Sequence, residues 1–108
     1  MVDGPRLDIP PELESLLPRF IEEMDKDCRI LAGLAGGDRA ALAEHVHAMR
    51  GKCAMFGAAE LAGLLAELEA RAAAAAVGEI QRRVARFIGR ASVLGLYGEG
   101  AGISPGSR

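Results

Sequence analysis

Apolar residues recur along this chain in steps of three and four, the period of amphipathic helices. From about Leu17 to Ala35 the residues Leu17, Phe20, Ile21, Met24, Cys28, Leu31 and Leu34 form one stripe. Upstream, Pro10 and Pro11 suit the first turn of a helix, which needs no amide donors, and Pro18 kinks or splits the segment into a short lead helix and a long second one. Gly36 and Gly37 stop the long helix, and Asp38 is placed to cap the next one. That third helix runs to about Phe56 with Leu42, Val46, Met49, Cys53 and Phe56 on a narrow face. Gly57 marks a turn. A fourth helix from Ala58 to about Ala75 buries Leu61, Leu64, Leu65, Leu68 and Ala72, and a fifth from Val77 to Leu94 buries Ile80, Val84, Phe87, Ile88 and Ala91.

No strand-like alternation of useful length occurs, so the fold class is all-α. Short connections between amphipathic helices make an antiparallel four-helix bundle with a short extra N-terminal helix the natural architecture. The bundle is expected over residues 10–95, between a flexible arm at 1–9 that contains Gly4 and Pro5 and a Gly-rich flexible tail at 96–108. The run ARAAAAAVG is a strong helix former whose small side chains permit close helix approach.

Composition narrows the chemistry. A chain of 108 residues is one domain, too short to join a nucleotide-binding catalytic unit to this bundle. Thirteen basic residues against fifteen acidic ones give a formal charge of −2, which offers no long-range attraction for nucleic acid or anionic lipid. No uncharged stretch approaches the length of a bilayer span, and MVDGPRLDIP carries no apolar signal segment, so a cytoplasmic location is expected. Cys28 and Cys53 fall on apolar helix faces and are expected to be buried, reduced thiols. A row of arginines, Arg82, Arg83, Arg86 and Arg90, repeats at helical spacing on the fifth helix, either as a solvated face paired with Glu79 and other carboxylates or as a docking patch for an acidic partner.

The two histidines, His45 and His47, lie two positions apart in EHVHAMRGKCAMFGAAEL. On a helix that spacing turns them about 200° apart, so one metal ion cannot reach both. Glu44 and His47 have the Glu-x-x-His spacing of di-iron bundles, but a complete site would need a symmetric dimer, so no metal is expected. His45 reads as a boundary residue bonded to an acidic side chain. His47 has more informative neighbours. Arg50 and Gly51 share its face, the arginine with a donor fork suited to phosphoryl oxygens. Glycine inside a helix costs about 1 kcal/mol relative to alanine, so Gly51 suggests that something approaches the backbone there.

His47-Ala48-Met49-Arg50-Gly51, then KCAMF, then Gly57-Ala58 with Leu61 three further on, resembles the signature of the histidine-containing phosphotransfer (HPt) domains of two-component relays: His-x-Leu-Lys-Gly, five residues, Gly-Ala and a Leu. IPPELESLLPRFIEEMDKD is similar to the opening of that family's proline-containing variants, and the resemblance spans about residues 8–94. It implies a helical bundle in which His47 is the phosphoacceptor, taking a phosphoryl group from a sensor histidine kinase or a receiver-domain aspartate and passing it to another receiver. It implies no independent catalytic activity, no cofactor of the chain's own, and Mg²⁺ supplied by the partner receiver. A monomer is expected. Arg50 takes the place usually held by lysine and, with Gly51, would stabilise the phosphoryl group.

Two departures stand out. Lys52 and Cys53 follow the signature glycine, where small residues are common, and Lys52 would bias which partners fit. A polar side chain on the neighbouring helix often orients the imidazole, and Glu67 and Glu69 are the candidates. Ala43, Ala54 and Met55 would form the centre of a docking interface with Glu44, Arg50 and Lys52 at its rim. A phosphorylation-independent helical adaptor using the same patch is the alternative, and a dimeric metal-binding bundle a more distant one.

Overall fold

The computed structural model describes residues 4–94, and all their regular structure is helical. A 3-10 helix, Pro11–Leu16, leads into α1 (Leu17–Leu34), followed by α2 (Arg39–Met55), α3 (Ala59–Arg71) and α4 (Val77–Ala91). Pro18 stands in the first turn of α1, so the segment is split there, as expected, into a short lead helix and the long α1. Asp38 caps α2 by accepting a hydrogen bond from the Ala41 amide at 3.0 Å. At the other end of α2, Gly57 adopts φ 67°; its amide donates to Ala54 O at 3.1 Å and the Ala58 amide to Cys53 O at 2.8 Å. Those two bonds are a Schellman closure, which satisfies the last carbonyls of the helix and turns the chain sharply into α3.

The helices pack in a ring: α1 against α2 and α4, and α3 against α2 and α4, with the backbones of the diagonal pairs held apart by the core. The predicted stripes meet at the centre of this ring. Leu31, Leu42, Val46, Met49, Leu61, Leu65, Leu68, Ile80 and Phe87 are sealed from solvent, and Phe20 stacks on Phe56 with ring centroids 4.3 Å apart. Cys28 and Cys53 are buried free thiols. Desolvation pushes the Cys53 thiol up to about 12 and the Cys28 thiol up to about 11, so both stay protonated at neutral pH.

Three expectations change. Residues 4–9 do not form a loose arm: Pro5 is fully buried, Leu7 and Ile9 pack on the core, and the Asp8 amide donates to Gly57 O at 3.0 Å. The extended segment covers the turn between α2 and α3 because that turn leaves an apolar edge and an unused carbonyl. Second, α3 ends at Arg71 and not near Ala75, despite the helix-forming alanine run. Ala72 and Ala75 turn inward and are buried, and the Arg39 guanidinium donates to Ala72 O at 2.7 Å, so tertiary contacts close the helix early. Third, the apolar stripe of α1 includes a charge, for Asp27 is buried beside Cys28. The tail expected to be flexible at 96–108 lies outside the described residues. Among the described residues no helix is long and apolar enough to cross a membrane.

Candidate functional site

The outward face of α2 carries the residues that the sequence singled out. Val46 and Met49 are fully buried, so the residues between and beside them are turned outward by the helical period. His47 projects into solvent, with 67 % of its side chain exposed. Ala43, Glu44, Arg50, Gly51 and Ala54 all lie within about 60° of it around the axis, and Met55 within about 80°. Met55 is itself a large exposed apolar side chain. A β-carbon built on Gly51 meets nothing within 4 Å, so the glycine leaves an open patch of backbone one turn from the imidazole.

Glu69 reaches across from α3. Its Oε2 lies 3.0 Å from His47 Nδ1. A carboxylate only accepts, so Nδ1 carries the proton and donates it, and Nε2 is left with its lone pair facing solvent. The other oxygen, Oε1, is shut away from water and stands 3.1 Å from Arg50 Nη1. The approach is close enough for an ion pair but off the line of a hydrogen bond. One carboxylate thus orients the imidazole and anchors the guanidinium.

Of the two glutamates expected to orient His47, only Glu69 reaches it. Residues two positions apart on a helix are turned about 200° from each other, so when Glu69 faces α2, Glu67 faces α4. There Glu67 meets Arg83 at 3.5 Å. The same geometry separates the two histidines. His45 Nε2–H donates to the Asp27 carbonyl at 3.3 Å and lies 3.5 Å from its carboxylate, which fits the acidic partner expected for it.

Lys52 is corrected. It was expected at the rim of the docking surface, yet five residues from His47 it lies about 140° around the helix. Its ammonium group donates to Asp27 Oδ2 at 2.9 Å and sits 3.8 Å from Glu23. Lys52 and His45 therefore tie α2 to α1 through one buried aspartate. Sequence reading missed Asp27 because the apolar period passes through Cys28, its neighbour. The available signal was a carboxylate within the Met24-to-Leu31 stretch of the stripe, where an unpaired charge would be costly. The reading also missed a cleft of about 280 Å³ beyond Met55, lined by Leu16, Phe20, Lys52 and Phe56 among others.

Among the described residues no group of three or more His, Cys, Asp or Glu is arranged to hold a metal ion. What the geometry defines is a small helical bundle presenting one oriented, solvent-facing histidine beside an arginine and a bare stretch of backbone. Residues 15–96 match the family model of the Hpt domain, and the chain belongs to that family, whose members carry phosphoryl groups in two-component phosphorelays. No curated protein and no solved structure matches the chain.

Proposed function

We propose that this Hpt domain relays phosphoryl groups through His47, between a sensor kinase or receiver-domain aspartate and a second receiver-domain aspartate. The observation that carries the reading is the 3.0 Å contact of Glu69 Oε2 with Nδ1, which leaves the Nε2 lone pair to meet a phosphoryl group on a side chain that is two-thirds exposed. In the transfer, the Nε2 lone pair attacks phosphorus, the N–P bond forms, and the P–O bond to the donor aspartate breaks with its electron pair leaving on the carboxylate. The proton on Nδ1 stays in place. Glu69 stabilises the positive charge that develops on the ring, as a carboxylate behind an imidazole does in other nucleophilic sites. The Mg²⁺ that balances charge on the donor side belongs to the receiver, so the chain acts as a phosphocarrier without a cofactor of its own.

Arg50, one turn along from His47, is the side chain positioned to meet the incoming phosphoryl oxygens, and the open backbone at Gly51 gives a receiver room to close on Nε2. Ala43, Ala54 and Met55 supply the apolar centre of the docking surface, with Glu44 and Arg50 at its edge. The test is transfer from a phosphorylated receiver or cognate kinase, followed as acid-labile phosphate on the chain. His47→Gln should accept none; labelling that persists in that variant would overturn His47 as the acceptor, and unchanged signalling by it would favour the phosphorylation-independent adaptor.

A further inference from the structure

The relay leaves unused the basic cleft between α3 and α4. It has a volume of about 230 Å³ and is lined by Leu64, Glu67, Glu79, Arg82, Arg83 and Arg86. Of its three arginines only Arg83 is committed internally, and Arg71 reaches the cleft's Glu79 from the end of α3. Glu79 accepts from Arg71 at 2.8 Å and from Arg83 at 2.9 Å, and these guanidinium bonds hold its carboxyl down at about 2. Arg83 also reaches Glu67. Both carboxylates of the cleft are therefore matched by cations before Arg82 and Arg86 are considered. Among the described residues, neither Arg82 nor Arg86 has a hydrogen bond or ion pair, and both are exposed. They lie four residues apart on one face of α4, and although Arg86 helps to hold Glu60 below its ordinary value, neither guanidinium is bonded to a carboxylate.

We propose that this cleft is a docking site for an acidic helical segment of a protein partner, separate from the phosphotransfer face. Three observations select that occupant. The two unpaired guanidinium groups are spaced by one helical turn, about 6 Å along α4, which matches carboxylates at positions i and i+4 of a partner helix. The half-buried Leu64 gives the groove an apolar contact between the charges, suited to a side chain of the same segment. The lining runs from Glu79 to Arg86, about 10 Å along α4, which suits an elongated segment better than a compact phosphate. Position supports independence: the backbone of α4 lies diagonally across the core from that of α2, and Glu67 and Glu69 point to opposite sides of α3. A partner seated here leaves His47 accessible to a receiver.

The experiment uses a fluorescein-labelled helical peptide with glutamates at i and i+4 flanking a leucine, and its glutamine counterpart, titrated against the whole chain by fluorescence anisotropy. The acidic peptide should bind the native chain, and Arg82→Glu combined with Arg86→Glu should weaken it at least tenfold. Arg82→Gln with Arg86→Gln should fall in between with a melting temperature little changed, because neither side chain has a hydrogen bond to lose and the pull of Arg86 on Glu60 is a weak, exposed one. His47→Gln should bind as the native chain does, which separates this site from the relay reading. Absence of binding, equal binding of the glutamine peptide, or indifference to both double variants would overturn the proposal. Displacement of the peptide by stoichiometric pyrophosphate would overturn it too, by making the cleft a small-phosphate site.

Discussion

Glu69 holds His47 with one oxygen and Arg50 with the other, so substitutions there separate orientation from charge. Glu69→Gln retains an oxygen that can accept from Nδ1, whereas Glu69→Ala frees both imidazole tautomers. Phosphoryl acceptance should fall about tenfold or more in Glu69→Ala and less in Glu69→Gln, measured as the initial rate of acid-labile labelling. Stability should change little, because an ion pair this close to solvent contributes about 1 kcal/mol or less. Gly51 gives the opposite dissociation. A β-carbon there meets nothing in the isolated chain, so Gly51→Ala should stabilise it by roughly 0.5–1 kcal/mol in urea unfolding through helix propensity. The same methyl should slow transfer from a receiver by blocking close approach. A variant that is both more stable and fully active would show that the glycine has no part in docking.

At the scale of elements, the turn between α2 and α3 depends on the segment that covers it. A β-carbon on Gly57 would stand 1.9 Å from Asp8 O, and the φ of 67° disfavours any side chain. Gly57→Ala should lose roughly 2–4 kcal/mol in urea unfolding, combining backbone strain with displacement of the N-terminal segment. Deleting residues 1–9 should itself destabilise the chain and reduce the further cost of Gly57→Ala, since the clash disappears and the φ penalty remains. The helices and their buried faces were legible in the sequence because each stripe follows one period and each boundary has a chemical stop: Asp38, the Gly36-Gly37 pair, Gly57. Contacts between elements were not. Nothing local distinguishes Glu67 from Glu69, assigns Lys52 to Asp27, or packs Pro5 against the bundle, because each depends on which helix becomes the neighbour. The early end of α3 has the same cause: local propensity favoured more helix, and the burial of Ala72 and Ala75 overrode it.

For the whole molecule, ion pairs outside the core give stability a pH dependence. Guanidinium hydrogen bonds hold Glu79 at about 2 and hold Glu23 and Glu60 below the ordinary 4.5. Their pKa values are depressed on folding, so the stabilisation is complete above about pH 4.5 and is lost as pH falls towards 2, where the unfolded chain takes up protons first. The melting temperature, followed by circular dichroism, should fall over that window. Glu79→Gln should reduce the slope, and about 0.5 M salt should weaken it, since these exposed pairs are screened. The ring of helices has a further consequence. Because the backbones of α2 and α4 stand on opposite sides of the core and the two faces share no residue, occupancy of one face should carry little coupling free energy to the other, and two partners would bind additively. A partner tethered at α4 would then act through effective concentration: it would keep His47 near its own linked receiver, and transfer within that assembly would no longer depend on the bulk concentration of either protein.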